Sequence, residues 1–167
     1  MIANPFRVRL LPPGGRSRVG AVDRAYALAA AVDSRLTPGR WAEFVRRCRR
    51  EAGRRGGIGV LEDRRGYVHA VFRYAVCPAP LGAAPVLARG STMWLRDVVV
   101  GHLPGGAAVR GLAAGAEVMA RAFGCVAVAL ELPAPADPAL AGTPYAPLSG
   151  RGYGLAAGPV MVRALDA

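Results

Sequence analysis

Between Asp97 and Ala107 the chain reads Asp-Val-Val-Val-Gly-His-Leu-Pro-Gly-Gly-Ala, and this stretch limits what the protein can fold into more than any other. An apolar strand passes through a glycine-rich turn into an Ala-rich helix, whose inner face carries Val109, Leu112, Ala113, Ala116, Ala120 and Phe123. Gly124 ends that helix, and Cys125-Val-Ala-Val-Ala-Leu130 then reads as a strand buried on both faces. Gly105 and Gly106 let the backbone turn with no Cβ in the way. The free N–H groups at the start of the following helix point outward with the positive end of the helix dipole behind them, an arrangement that suits a phosphate.

The remaining segments carry simpler signals. Phe6-Arg-Val-Arg-Leu-Leu11 alternates apolar and basic residues, as a half-exposed first strand does. From Asp23, read as an N-cap, Tyr26, Leu28, Ala29 and Val32 recur at helical spacing. Thr37-Pro38 caps a second helix ending near Gly53, with Trp41, Phe44, Val45 and Cys48 inward and its arginines outward. Ile58–Leu61 and Tyr67–Val76 flank the polar turn Glu62–Gly66 and predict a β-hairpin. Glu117 and Arg121 are spaced as an ion pair on the outer face of the Ala-rich helix. Prolines 133, 135, 138 and 144 exclude a long helix there, and Val160–Leu165 is a short last strand.

Composition sets wider bounds. A chain of 167 residues, 53% hydrophobic, has room for one domain with a real core. The longest small-apolar run, Ala25 to Val32, is far short of a membrane span, and the first residues lack a signal-peptide pattern, so a cytoplasmic protein is expected. Cys48, Cys77 and Cys125 are too few and too scattered for a disulfide framework or a zinc site, and no metal is expected. The net charge of +11 points toward anionic partners, but all 22 basic residues are Arg, which matches a coding bias as well as a selected patch. What survives is local: Arg46, Arg47, Arg49, Arg50, Arg54 and Arg55 crowd one helix end and form a candidate RNA contact.

The element order, with the turn His102-Leu103-Pro104-Gly105-Gly106-Ala107, resembles the GNAT acyltransferase superfamily, whose turn motif is Gln/Arg-x-x-Gly-x-Gly/Ala. The resemblance implies an α/β fold: a single GNAT-like domain spanning residues 1–167, with a mixed central β-sheet flanked by helices. It implies acetyl-CoA, or another acyl-CoA, as cofactor. The cofactor's contacts would be Val99 and Val100 on the strand, His102 beside the phosphates, the amides of Leu103, Gly105, Gly106, Ala107 and Ala108, and the side chain of Arg110. Pro104 removes one amide from this cradle.

The same resemblance implies acyl transfer to the amine of a small molecule, peptide or protein. Asp97 is its candidate base, against the alternative of a salt-bridged surface residue. The family often ends in Tyr-x-x-x-Gly-Phe. Gly152-Tyr153 resembles the last pair, but Leu148 fills the tyrosine slot, leaving Tyr145, Tyr153 or solvent as the proton donor, with Tyr145 preferred. His69 and Trp94 read as a satisfied half-buried histidine and a packing residue. The rival readings are a non-catalytic partner or regulatory subunit of the same fold, and an RNA-directed protein, acting on charged tRNA or only binding. A homodimer is compatible with either.

Overall fold

The computed structural model describes residues 5–11, 20–51, 55–78, 90–132, 143, 145–156 and 159–165. Among these residues seven strands form one sheet: β1 (Phe6–Leu11), β2 (Gly56–Asp63), β3 (Val68–Pro78), β4 (Ser91–Val100), β5 (Cys125–Glu131), β6 (Gly154–Leu155) and β7 (Val160–Ala164), in the order β1-β2-β3-β4-β5-β7-β6. Every neighbouring pair is antiparallel except β4 and β5, which run parallel and therefore need a crossover helix, α3 (Ala107–Ala122). The helices α1 (Gly20–Val32) and α2 (Pro38–Glu51) connect β1 to β2. This is the mixed, helix-flanked α/β sheet that the sequence led us to expect.

Strand alternation assigns the two layers. Leu61, Ala70 and Phe72 belong to the cluster under α3, while their neighbours Val60 and Val71 belong to the cluster under α1 and α2. Helix α3 lies close on β1 because Gly111 and Gly115 present no side chain. A Cβ at these positions would come within 2.6 Å of Phe6 and 2.2 Å of Val8. Among the described residues no helix is long and apolar enough to cross a membrane.

Three local expectations are corrected. Helix α1 begins at Gly20, so Asp23 lies within its first turn rather than capping it. Glu62 is in strand β2 and buried, where it pairs with Arg24 at 2.8 Å and Arg9 at 3.4 Å; the hairpin turn is instead tied by Asp63, whose Oδ1 accepts the amides of Arg65 and Tyr67. Glu117 does not face solvent beside Arg121. It is buried and ion-paired with Arg151 at 2.9 Å and Arg163 at 2.8 Å, fastening α3 to the end of the chain. A periodicity argument sees only its own helix and could not foresee partners supplied by later segments.

Two further signals hold locally. The Thr37 hydroxyl accepts the Arg40 amide at 3.3 Å, capping α2. His69 is half-buried, 3.1 Å from Asp63, and this hydrogen bond holds the Asp63 carboxyl below its ordinary range.

Candidate active site

Strands β4 and β5 pair from Ser91 opposite Cys125 to Leu95 opposite Leu130, and no further. On its other side β4 stays paired with β3 as far as Val100. Among the described residues one edge of Arg96–Val100 is thus left without a strand partner, at the mouth of a wedge between β4 and β5. The cause is local. Arg73 faces Arg96 but Val71 faces Val99, so β4 has one residue more than β3 over this step. That extra residue makes a bulge, and Asp97 takes it up with φ of 49°. Aspartate tolerates this left-handed conformation better than its valine neighbours would. Its carboxylate receives Arg73 Nη1 at 3.0 Å in a pair largely open to water.

Past Val100 the chain reaches the glycine turn. Gly105 (φ 63°) and Gly106 (φ 68°) are both left-handed, so the turn needs two residues without a Cβ in succession. Gly106 also packs on the C-terminal segment, since a Cβ there would come within 2.6 Å of Pro147 Cγ. A Cβ at Gly105 would face nearly open space, its nearest contact being Arg110 Nη2 at 3.8 Å. Arg110 Nη1 donates to the Gly105 carbonyl, which sets a guanidinium over the turn. Of the amides that the family resemblance assigns to the cradle, Gly106 and Ala107 donate within the turn itself, to the carbonyls of Leu103 and Pro104. His102 is exposed.

Two tyrosines lie on the α3 face. Tyr145 caps a short 3-10 turn, Ala146–Arg151, and is buried in the same apolar cluster that Val100 and Leu103 pack against. Burial raises its phenol above the ordinary tyrosine range, so it stays protonated well beyond neutral pH. Tyr153 is buried deeper. Desolvation, and then the charge of Glu117, push its phenol higher still, and its hydroxyl has no partner in hydrogen-bonding geometry among the described residues.

On the opposite face a cavity of about 690 Å³ opens between α1, α2 and the wedge. Ala29, Leu36, Trp41, Phe44 and Val71 form its walls, and Asp97, Val99, Glu131 and Leu132 line it at the strand divergence.

No protein-family model matches this sequence, and no curated protein matches it. Solved structures do match in shape. A proposed phosphinothricin N-acetyltransferase aligns over 97% of this chain and 99% of its own, with TM-score 0.55 and 16% identity. An aminoglycoside antibiotic 6'-N-acetyltransferase from Acinetobacter baumannii aligns over 78% of this chain and 81% of its own, with TM-score 0.52 and 12% identity. A tetramutant of the BH1408 protein from Bacillus halodurans covers 79% and 86%, with TM-score 0.50 and 17% identity. The fold is that of the GNAT superfamily. At such identities the likeness establishes the fold alone.

Within this GNAT fold the residues singled out from sequence divide between the two faces. Asp97 and Val99 line the cavity, whereas Val100, Leu103, Ala108 and Tyr145 belong to the α3 side. Glu131 was missed. It ends β5, lines the cavity and pairs with Arg96 at 3.4 Å. An acid closing an otherwise apolar strand was the available signal.

The basic cluster is less uniform than its sequence suggests. Arg46, Arg47 and Arg50 are exposed on α2, Arg49 is half-buried, Arg55 donates to the Phe123 carbonyl at 2.8 Å, and Arg54 lies outside the described residues.

Proposed function

We propose that the protein is an acyl-CoA-dependent N-acyltransferase that moves an acetyl group to an amine. The observation that supports this most is a coincidence at one end of β4: the bulge that parts β4 from β5 is followed five residues after Val100 by a double left-handed glycine turn at the start of α3. A pyrophosphate needs close backbone approach and positive potential. The open side of Gly105, the helix start behind it and the guanidinium of Arg110 suit both needs.

When bound, the CoA thioester supplies the acyl group and a thiolate leaving group. The chain's own residues supply the rest. Gly105, Ala108 and Arg110 hold the phosphates, with Leu103, Gly106 and Ala107 shaping the turn and His102 beside it. The free edge of β4 at Val99 and Val100 offers backbone groups to orient the thioester and polarise its carbonyl. Asp97, on the cavity side, takes a proton from the amine, directly or through water. Tyr145, protonated at neutral pH as any phenol is and held so to higher pH by burial, returns one to the thiolate.

Calorimetric titration with acetyl-CoA and with free CoA tests the reading. Saturable binding of both is expected, with a raised thermal midpoint, since a ligand at a hundredfold excess over its Kd adds about 2.7 kcal/mol. No heat and no thermal shift at millimolar cofactor would refute it.

A further inference from the structure

The walls of the cavity on the α1/α2 face are apolar or charged. Among the described residues that line it there is no Ser, Thr, Asn, Gln, Tyr or His. A polyhydroxylated ligand would lose water from each hydroxyl it placed against Trp41, Phe44, Val71, Phe72, Val98 or Leu132, and the side-chain partners left for those hydroxyls among the described residues are the charged ones alone. A ring or branched aliphatic body would lose nothing there, and the volume of about 690 Å³ is ample for one.

The charges are placed unevenly. Asp33, Arg40, Glu43 and Arg47 line the cavity from the helices, two of each sign, and give that side no net preference. At the wedge, Asp97 on β4 and Glu131 on β5 line it from the two diverging strands. Their arginines, Arg73 and Arg96, hold them at 3.0 and 3.4 Å in pairs that are a third or more open to solvent. Such pairs are weak and yield readily to a cation that also buries apolar surface. In a chain with only 11 acidic residues against 22 basic ones, two carboxylates facing one cavity across a strand divergence stand out as a cation-selecting element.

We infer that this cavity selects a primary amine carried on an apolar, ring-sized body. The ammonium sits between Asp97 and Glu131, the body lies against Trp41 and Phe44, and amino sugars, which must desolvate hydroxyls against that apolar wall, bind more weakly. That this amine is the acyl acceptor rests on the acyltransferase reading; its binding does not.

The test is calorimetric titration, without cofactor, of 2-phenylethylamine, of its neutral analogue 2-phenylethanol, and of glucosamine. The phenyl amine should bind at least tenfold more tightly than either of the others. Glu131→Gln should abolish its advantage over the alcohol while leaving the alcohol's affinity unchanged, and Glu131→Asp should restore part of it. Phe44→Ser should weaken both phenyl ligands, with Leu36→Ser as the second variant if the first lowers the thermal midpoint. Glucosamine binding as well as the phenyl amine, amine and alcohol binding alike, or no binding by any of the three would overturn the inference. Acetyl-CoA is titrated separately. Cofactor binding without amine selectivity refutes only the inference, and amine selectivity without cofactor binding refutes only the acyltransferase reading.

Discussion

The two faces of the sheet share the same strands but are packed differently. Under α3, Leu95, Val109, Leu112, Val128, Leu148 and Tyr153 close around a void of only about 10 Å³, whereas under α1 and α2 the opening is about 690 Å³. The ion pairs follow the same division. Glu117 on the α3 face is buried and held by two arginines from the end of the chain, while Asp97 and Glu131 on the cavity face sit in exposed pairs. The difference teaches that one sheet can be closed tightly on one face and leave a large cavity on the other. Asp97 and Tyr145, on opposite faces, would meet their chemistry only through the wedge between β4 and β5.

The sharpest way to break this comparison is to empty each face in turn. Leu112→Ala removes a side chain 1% exposed in the tight core and should cost about 2–5 kcal/mol in denaturant unfolding. Leu36→Ala, on the half-buried cavity wall, should cost less than half as much because its neighbours already border open space. Equal losses would mean that the two faces are packed alike.

The next effect is catalytic. Tyr145→Phe should lower turnover by about 10²-fold or more, with cofactor affinity nearly unchanged, since general acids typically contribute about 10²–10⁴-fold. Its sign with pH is fixed by burial. The phenol must be protonated to act, and its pKa is raised, so activity that depends on it falls only as pH rises past the ordinary tyrosine range. A fully active Tyr145→Phe enzyme would confine the chemistry to the cavity face.

How much of this was legible in the sequence depends on how local each cause is. The glycine turn, α3 and β5 are set by neighbours in the chain: two left-handed glycines, one apolar helical stripe and one continuous apolar run. The bulge at Asp97 was not legible, because it exists only relative to the register of β3. The burial of Glu62 and Glu117 was hidden for the same reason, since their arginines come from 38 residues away for Arg24, and 34 and 46 away for Arg151 and Arg163. Glu131 could have been noticed but had no meaning until the cavity brought it beside Asp97. The Pro-rich stretch after Leu132 and the connection from Cys77 to Gly90 fall largely outside the described residues.

A smaller effect probes the turn that joins the two faces. Gly105→Val forces a β-branched residue to a φ of 63° and fills the open side of the turn. Affinity for CoA should fall by at least tenfold, about 1.4 kcal/mol, while the thermal midpoint without ligand moves by no more than the strain of about 1–3 kcal/mol allows. Unchanged CoA binding would place the cradle elsewhere.

The smallest effect has the least intuitive sign. Tyr153 stands where the family's terminal motif has Phe, and its hydroxyl is buried close beside the Glu117 carboxylate but outside good hydrogen-bonding geometry with it. The adjoining void of about 10 Å³ is at the lower limit of what holds one water, about 10–15 Å³, so solvent offers the hydroxyl little relief. An unpaired buried hydroxyl is a net cost, and its removal leaves the packed ring in place. Tyr153→Phe should therefore leave turnover unchanged and stabilise the fold slightly, by up to about 1 kcal/mol, as read from the denaturation midpoint. A loss of stability, or a tenfold fall in turnover, would show that the hydroxyl serves the wedge, and that the α3 face holds part of the active site as well as the core.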